Sequence, residues 1–415
     1  MMKRRALFLR NIFFLLWLIF IPACARTGGD ASINNGNTAG SAPNRVNLLP
    51  DSELVYGTGQ VGFDVTMFIQ SSSGYLAGYS EEVEGRTLNG AQIVEEVSLL
   101  YSVNPRLLLA LLEYRSDWVT VAEPAYQGLY PINPADTSRA GLFTQLSWAA
   151  NELNRGFYTH EVGALGGFAL PDGTQIDLDA DMNDASAAVQ YLFALFMDYH
   201  DWELAVSPLG FYADYVRLFG DPFQYDSGEP LPVDLAQPPM QLPFAAGERW
   251  HYTSGAHSAW GDGAAWAAID LAPPGENWGC YQSEQAVRAV AEGVISYAEN
   301  GAVLQDLSGD GDVRTGWVVL YMHISSTGRA APGSVLQAGE VIGYASCEGG
   351  YSSGTHLHLA RRYNGEWVAA DRDVPFVLSG WISAGSGSQY EGTLSLNNTI
   401  VEASEYLNEE NEINW

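Results

Sequence analysis

Two periods divide the chain. Between Asn89 and about Phe219, apolar residues recur every three or four positions. Ile93, Val94, Val97 and Leu100 mark one stripe, and the run from Leu107 to Leu112 marks another. That is the spacing of helices with a buried face. Pro222, Pro230, Pro232, Pro238, Pro239 and Pro243 then crowd one segment. Proline has no amide proton and a fixed φ, so neither a helix interior nor a central strand passes through it. Beyond it come short runs of Val, Ile, Tyr and Trp broken by glycine, as in Gly293-Val-Ile-Ser-Tyr and Trp317-Val-Val-Leu-Tyr. These read as antiparallel strands. The pattern predicts an α+β chain of two domains. A helical domain covers 51–221, a Pro-rich linker 222–244 and a β-rich antiparallel domain 245–375. Residues 376–415 read as a short strand pair around Tyr390-Glu-Gly-Thr-Leu and then an acidic, frayed tail. No repeat of fixed period is evident.

The N-terminus has another character. Lys3, Arg4, Arg5 and Arg10 precede an apolar run from Ile12 to Ile21, followed by Pro22-Ala23-Cys24. The run is short for a membrane span and suits an export signal. Ile-Pro-Ala-Cys resembles a bacterial lipobox, with a proline at a position where that pattern does not usually carry one. Residues 1–24 are therefore expected to be a lipoprotein-type signal peptide, with Cys24 lipidated. Stable anchoring takes more than one acyl chain. Residues 25–50, rich in Gly, Asn, Ser and Ala, read as a flexible tether. The protein is thus expected to be exported and held on the outer face of the cytoplasmic membrane or in the cell envelope.

Composition narrows the partners. At 415 residues with 47% hydrophobic content the chain can bury more than one core. The formal charge is −30, and Lys3 is the only lysine. Such a surface disfavours nucleic acid and other anionic polymers.

Candidate chemistry gathers in the β-rich part. His257 stands in Gly-Ala-His-Ser, Asp270 in Ala-Ile-Asp-Leu-Ala-Pro-Pro, and His323 in Tyr-Met-His-Ile. His356 and His358 stand in Gly-Thr-His-Leu-His-Leu. Residues two apart on a strand share a face, so the alternation aims both imidazoles of His-Leu-His into one pocket. Two histidines and a carboxylate make a three-ligand zinc site with a fourth position open, as in catalytic zinc. The same set suits non-haem iron oxygenases, but that chemistry needs a reducing cytosol and a cosubstrate site, and the export signal argues against it.

Residues 245–375 resemble the M23 family of zinc endopeptidases, lysostaphin-like enzymes that cleave Gly-Gly or peptidoglycan bonds. The family order is an early His, an Asp in an Asp-Leu-Ala-Pro stretch, a Tyr-x-His and a terminal His-x-His. The resemblance implies that His257, Asp270 and His358 hold zinc and that His356 and His323 are catalytic. Most of the family spaces the first His and Asp four apart; here they are thirteen apart, as in the β-lytic, staphylolytic branch. Bound zinc would lower the pKa of its water to about 7 and polarise the scissile carbonyl. His356 would accept the water's proton and pass it to the leaving amine. His323 would donate to the oxyanion, a contact worth ~3 kcal/mol.

Cys280 and Cys347, the two cysteines left beside Cys24, read in an exported protein as a disulfide. It is expected to hold the segments supplying Asp270 and His358. In the helical region, Tyr101-Ser-Val-Asn-Pro-Arg-Leu-Leu-Leu-Ala-Leu-Leu, Ala140-Gly-Leu-Phe-Thr-Gln-Leu and Ala188-Val-Gln-Tyr-Leu resemble the lysozyme-like fold of lytic transglycosylases. That family places its catalytic glutamate just before a serine. Here Arg115 precedes Ser116, and Glu113 lies two positions earlier, so a non-catalytic, glycan-binding or spacing module is expected, or a plain helical bundle. Asp306-Leu-Ser-Gly-Asp-Gly-Asp312 offers Asp306, Asp310 and Asp312 as calcium ligands, like the first half of an EF-hand loop. The alternative is an acidic hairpin, since Trp317 occupies the twelfth position.

Together these features imply an exported zinc endopeptidase acting on peptidoglycan. Two rivals keep the same fold: a non-catalytic wall-binding or scaffold protein, and a secreted protease of Gly-rich proteins. Loss of a ligand or catalytic histidine would mark the first, and none is lost.

Overall fold

The helical period folds as expected in the computed structural model, which describes residues 47–229, 231–275 and 279–415. Its helices are α1 (Val65–Ser72), α2 (Gly90–Tyr101), α3 (Pro105–Ser116), α4 (Leu142–Glu161), α5 (Asp184–Ala194), α6 (Tyr199–Ala205) and α7 (Phe211–Phe219). Several of their starts are set by N-cap side chains that accept otherwise unpaired backbone amides. Asp64 accepts from Met67, Asn89 from Gln92, Asn104 from Arg106 and Asn183 from Ser186. Helix α3, with Leu107 to Leu112 all buried, runs through the middle of the bundle. Two hairpins edge it: β1 (Ser80–Val83) with β2 (Arg86–Asn89), and β3 (Gly167–Ala169) with β4 (Gln175–Asp177). The expected signal segment, Cys24 and the stretch to residue 46 lie outside the described residues.

The C-terminal region is β-rich and antiparallel. It contains β5 (Arg249–His257), β6 (Ala268–Ala272), β7 (Ala286–Arg288), β8 (Gly293–Glu299), β9 (Ala302–Asp306) and β10 (Trp317–Met322). After these come β11 (Val335–Leu336), β12 (Val341–Tyr344), β13 (Leu357–Tyr363) and β14 (Glu366–Trp367), then β15 (Val377–Leu378), β16 (Trp381–Gly385), β17 (Gly392–Leu396), β18 (Thr399–Glu402) and β19 (Glu412–Asn414). The main sheet runs β11-β8-β9-β10-β13-β6-β5-β19, with β14 paired to β13.

The two faces of this sheet have different neighbours. Ile269, Leu271, Val319, Tyr321, Leu357 and Leu359 point into a core of the β region's own, which Met240, Leu242 and Phe244 join from the end of the proline segment. Ala268, Val318, Leu320, Met322 and Ala360 point the other way, into a core shared with the helices. Strand alternation puts His358 on that second face, beside Ala360. Arg362, also on it, is fully buried, donates to the Leu99 carbonyl of α2 at 2.9 Å and lies over the Trp367 ring. The described residues therefore belong to one compact unit.

The acidic end of the chain departs from the expected frayed tail. β15 to β18 form a four-stranded sheet rather than a strand pair, and β19 is the edge strand of the main sheet. Ile413 is buried against that sheet, and Trp381 Nε1 donates to the Asn414 carbonyl at 2.9 Å. One apolar residue and two anchored tryptophans outweigh the run of glutamates: Trp415 Nε1 also donates, to the Phe244 carbonyl. Among the described residues no helix is long and apolar enough to cross a membrane.

Candidate metal centre

Antiparallel pairing assembles the site. His358 on β13 lies directly opposite Asp270 on β6, and His257 ends β5, the next strand along. His257 Nε2 is 3.2 Å and His358 Nδ1 is 3.3 Å from Asp270 Oδ1, and the two nitrogens are 3.0 Å apart. The other ring nitrogens fix the tautomers. His257 Nδ1 lies 2.8 Å from the Gly255 carbonyl, and His358 Nε2 lies 2.9 Å from the Ala259 carbonyl. A carbonyl only accepts, so each of these nitrogens carries the proton. In the neutral rings, His257 Nε2 and His358 Nδ1 are therefore bare lone pairs.

With both rings neutral, two lone pairs and a carboxylate oxygen converge with no hydrogen between them. All three residues are buried, and Asp270 Oδ1 receives no hydrogen bond. Each unpaired buried acceptor costs about 1–3 kcal/mol, and a cation at their focus removes the cost. The donor set fits a dication such as zinc, with each imidazole oriented by a backbone carbonyl behind it. Among the described residues it is the one group of three or more His, Cys, Asp or Glu whose ligand atoms all lie within 4.8 Å of one another. Burial pushes the Asp270 carboxyl up, but in the absence of an ion the positive charge of a protonated His257 or His356 outweighs it and holds the group well below the usual carboxylate range.

The other two histidines stand beside this cluster. The His323 and His356 rings are 4.5 Å apart, and His356 Nε2 is 3.7 Å from Asp270 Oδ2. His356 Nδ1 faces the Gly354 carbonyl at 2.8 Å, and His323 Nδ1 faces the Glu348 carbonyl at 3.1 Å. By the same reasoning each neutral ring keeps its Nε2 as an acceptor. Burial, then the charges of His356 and His358, push His323 down to about 3. The neutral His323 thus presents an acceptor at Nε2, and donation to an oxyanion would require its protonated form. His323 also has φ +64, an uncommon backbone for a residue with a Cβ.

Known proteins align with both halves. The helical half matches the family model "LasA, N-terminal domain" over residues 47–233, and residues 274–370 match "Peptidase family M23". The β-rich half is a peptidase family M23 domain. That match spans His323, His356 and His358 but begins after His257 and Asp270, whose place in the site rests on the geometry above. Protease LasA of Pseudomonas aeruginosa strain UCBPP-PA14 is 27% identical over 341 residues, covering 77% of this chain and 75% of that protein. The beta-lytic metalloendopeptidase of Lysobacter enzymogenes is 28% identical over 163 residues, covering 38% of this chain and 85% of that protein. Among solved structures, the deep-sea M23 metalloprotease pseudoalterin is 26% identical with a TM-score of 0.33, covering 40% of this chain and 94% of that one.

The M23 domain contains the Cys280–Cys347 disulfide, with Cα atoms 5.5 Å apart. The flanks of Cys347 serve the other two histidines. Ser346 pairs with His356 across an isolated bridge, and the Glu348 carbonyl holds His323. Beyond Cys280, the Tyr281 amide and carbonyl bond the Thr355 hydroxyl, next to His356.

The aspartates suggested for calcium form no such group. Asp306 is buried and accepts from the Ser308 and Gly311 amides, while Asp312 pairs with Arg314 through both oxygens. The loop is an acidic turn with its oxygens already engaged. Glu113 is likewise spent. It accepts from the Val119 and Thr120 amides and the Thr120 hydroxyl, and it pairs with Arg217. Arg115 donates to the Ile132 carbonyl.

One site residue had no sequence signal. Tyr390, in the turn between β16 and β17, stacks on His257 with ring centroids 4.9 Å apart and planes 26° apart. Its carbonyl accepts from Gly255, and its amide donates to Ala256, on the strand that carries His257. It follows a Gly-Ser-Gly-Ser-Gln stretch, which reads only as a loop.

Proposed function

We propose that this chain is an exported zinc endopeptidase that hydrolyses peptide bonds of peptidoglycan, tethered to the envelope through lipid on Cys24. The convergence of His257 Nε2, His358 Nδ1 and Asp270 Oδ1 without a proton between them carries the metal assignment. The identity of the metal as zinc rests on the two-imidazole, one-carboxylate donor set. Peptidoglycan is supported by the likeness to the M23 family and to beta-lytic metalloendopeptidases. The strongly acidic surface disfavours nucleic acid as a partner.

His257, Asp270 and His358 would hold the ion, which when bound polarises a peptide carbonyl and makes water more acidic. His356 Nε2 is the free basic nitrogen nearest the carboxylate, and its Nδ1 proton is fixed by Gly354. It takes a proton from the attacking water and returns it to the leaving amine nitrogen. His323 presents a second acceptor nitrogen beside it. With ring centroids 4.5 Å apart the two imidazoles repel as a doubly charged pair. They therefore cannot both carry charge, and a ring that has taken up the water's proton is the hydrogen-bond donor to developing negative charge.

Incubation of the purified chain with peptidoglycan, with and without a chelator, followed by mass mapping of the fragments, tests this function. New peptide termini that vanish with chelator and return with zinc are expected. Intact cross-bridges with a zinc-loaded chain would contradict it.

A further inference from the structure

The loop between His257 and Asp270 is nine residues longer than in most of the family that this domain resembles. It closes on itself: the Ala259 amide donates to the Ala265 carbonyl at 3.0 Å, and the Ser258 hydroxyl to the Ala264 carbonyl at 3.2 Å. At its neck, the Ala259 carbonyl takes the Nε2 proton of His358 and so decides which nitrogen of that ring faces the ion. The tip of the loop does not rest on the M23 domain. It rests on helix α4 of the helical half.

The docking is specific. Asn151 Oδ1 accepts from the Asp262 amide at 3.1 Å and the Gly263 amide at 3.0 Å, and its Nδ2 donates to Asp262 Oδ1 at 2.7 Å. Arg155 adds an ion pair to Asp262 at 2.5 Å, but both partners are substantially exposed, so that pair contributes little. The approach is close enough to exclude side chains. A Cβ on Gly263 would lie 2.0 Å from the Asn151 carbonyl oxygen, and one on Gly261, at φ +63, would lie 2.3 Å from Asn151 Oδ1. Trp260 meets Tyr101 edge-on, and Ala259, Ala264 and Ala265 are buried in the core shared with the helices.

We propose that Asn151 is a remote positioning residue for the metal centre: it docks the ligand loop on α4 and thereby holds the Ala259 carbonyl against His358. This rests on the metal assignment made above, but not on any substrate. Groups that orient a metal ligand typically change affinity by about 10- to 100-fold when lost. The helical half is then part of the metal site's support as well as its neighbour.

The test is the zinc affinity of the full chain, by competition with a chromophoric chelator, alongside the unfolding midpoint of the metal-free protein. Asn151→Ala is expected to weaken zinc about ten-fold. Asn151→Asp should also weaken it, because its second oxygen meets the Asp262 carboxylate. Adding Asp262→Asn restores a donor opposite that oxygen and should return the affinity to near wild type, which a general loss of stability would not do. Should Asn151→Ala fail to fold, the Asn151→Asp single and swapped variants carry the comparison. Unchanged zinc affinity in the single variants, or a swap that restores nothing, overturns the proposal. A wild-type chain that takes up no zinc overturns the metal assignment itself.

Discussion

Ser346 holds His323 by its backbone, giving both its amide and its hydroxyl to the His323 carbonyl, at 2.7 and 3.0 Å. With the Glu348 carbonyl on the ring, this fixes a histidine at φ +64 beside the metal centre. The disulfide at Cys347 lies between those two supports. Reduction, or Cys347→Ser, is therefore expected to lower kcat about ten-fold while the zinc content stays near wild type. The loop closed by the bridge spans 67 residues, so stability should also fall by up to about 4.5 kcal/mol in the chain-entropy model. Metal analysis beside turnover decides it. Zinc lost in step with activity would return the bridge to the ligand strands.

Tyr390 covers one face of His257. Tyr390→Phe keeps the ring and is expected to keep zinc affinity, whereas Tyr390→Ala exposes the ligand and should weaken affinity several-fold, in line with a lost aromatic contact of about 0.5–1.5 kcal/mol. Equal affinities in all three proteins would show that the stacking is incidental.

Two buried glutamates should move stability with pH in opposite directions. Glu366 is pushed well above the ordinary range, first by burial and then by the negative charges of Glu161, Glu229, Asp51 and Asp184. A raised folded pKa gives stability that is full in acid and lost as pH climbs above the unfolded value. Glu366→Gln should therefore gain stability relative to wild type as pH rises from 4 to 8, a window set by the ordinary carboxylate range. Glu113 is the reverse. Burial raises it, but bonds from the Thr120 hydroxyl, Arg217 and the Thr120 and Val119 amides prevail and lower it. Its stability is present at neutral pH and fades as the carboxylate protonates. Denaturant unfolding across this range reads Glu366, and its extension below about pH 4 reads Glu113; parallel profiles for wild type and Glu366→Gln would refute the first.

Glu113 also decides what the helical half does to glycans. All of its bonds are internal, so it is expected to release no sugar ends, and Glu113→Ala should cost about 2–4 kcal/mol by leaving buried amides unpaired. Sugar termini formed by the intact chain and abolished by Glu113→Gln would contradict this.

Much of the metal centre was legible because strand alternation pairs His356 with His358 and the order of the remaining residues is distinctive. The register placing Asp270 opposite His358 was not, since nothing local specifies which strands meet. Tyr390 was invisible for a different reason: a turn residue follows no period. The aspartates at 306, 310 and 312 looked like calcium ligands because turn-capping and ion binding select the same oxygens. The tail looked frayed because its glutamates hid Ile413 and the anchoring of Trp415. The docking of the His257–Asp270 loop on Asn151 depends on contacts over a hundred residues apart, beyond any local pattern.

Zinc content per chain across single alanine variants tests the central claim most directly. About one zinc is expected in the wild type and in His356→Ala, which removes only a proton carrier, and essentially none in His257→Ala, Asp270→Ala or His358→Ala. Loss of the metal from His356→Ala as complete as from His358→Ala would show that the ligand and proton-carrier roles of the pair are assigned the wrong way round.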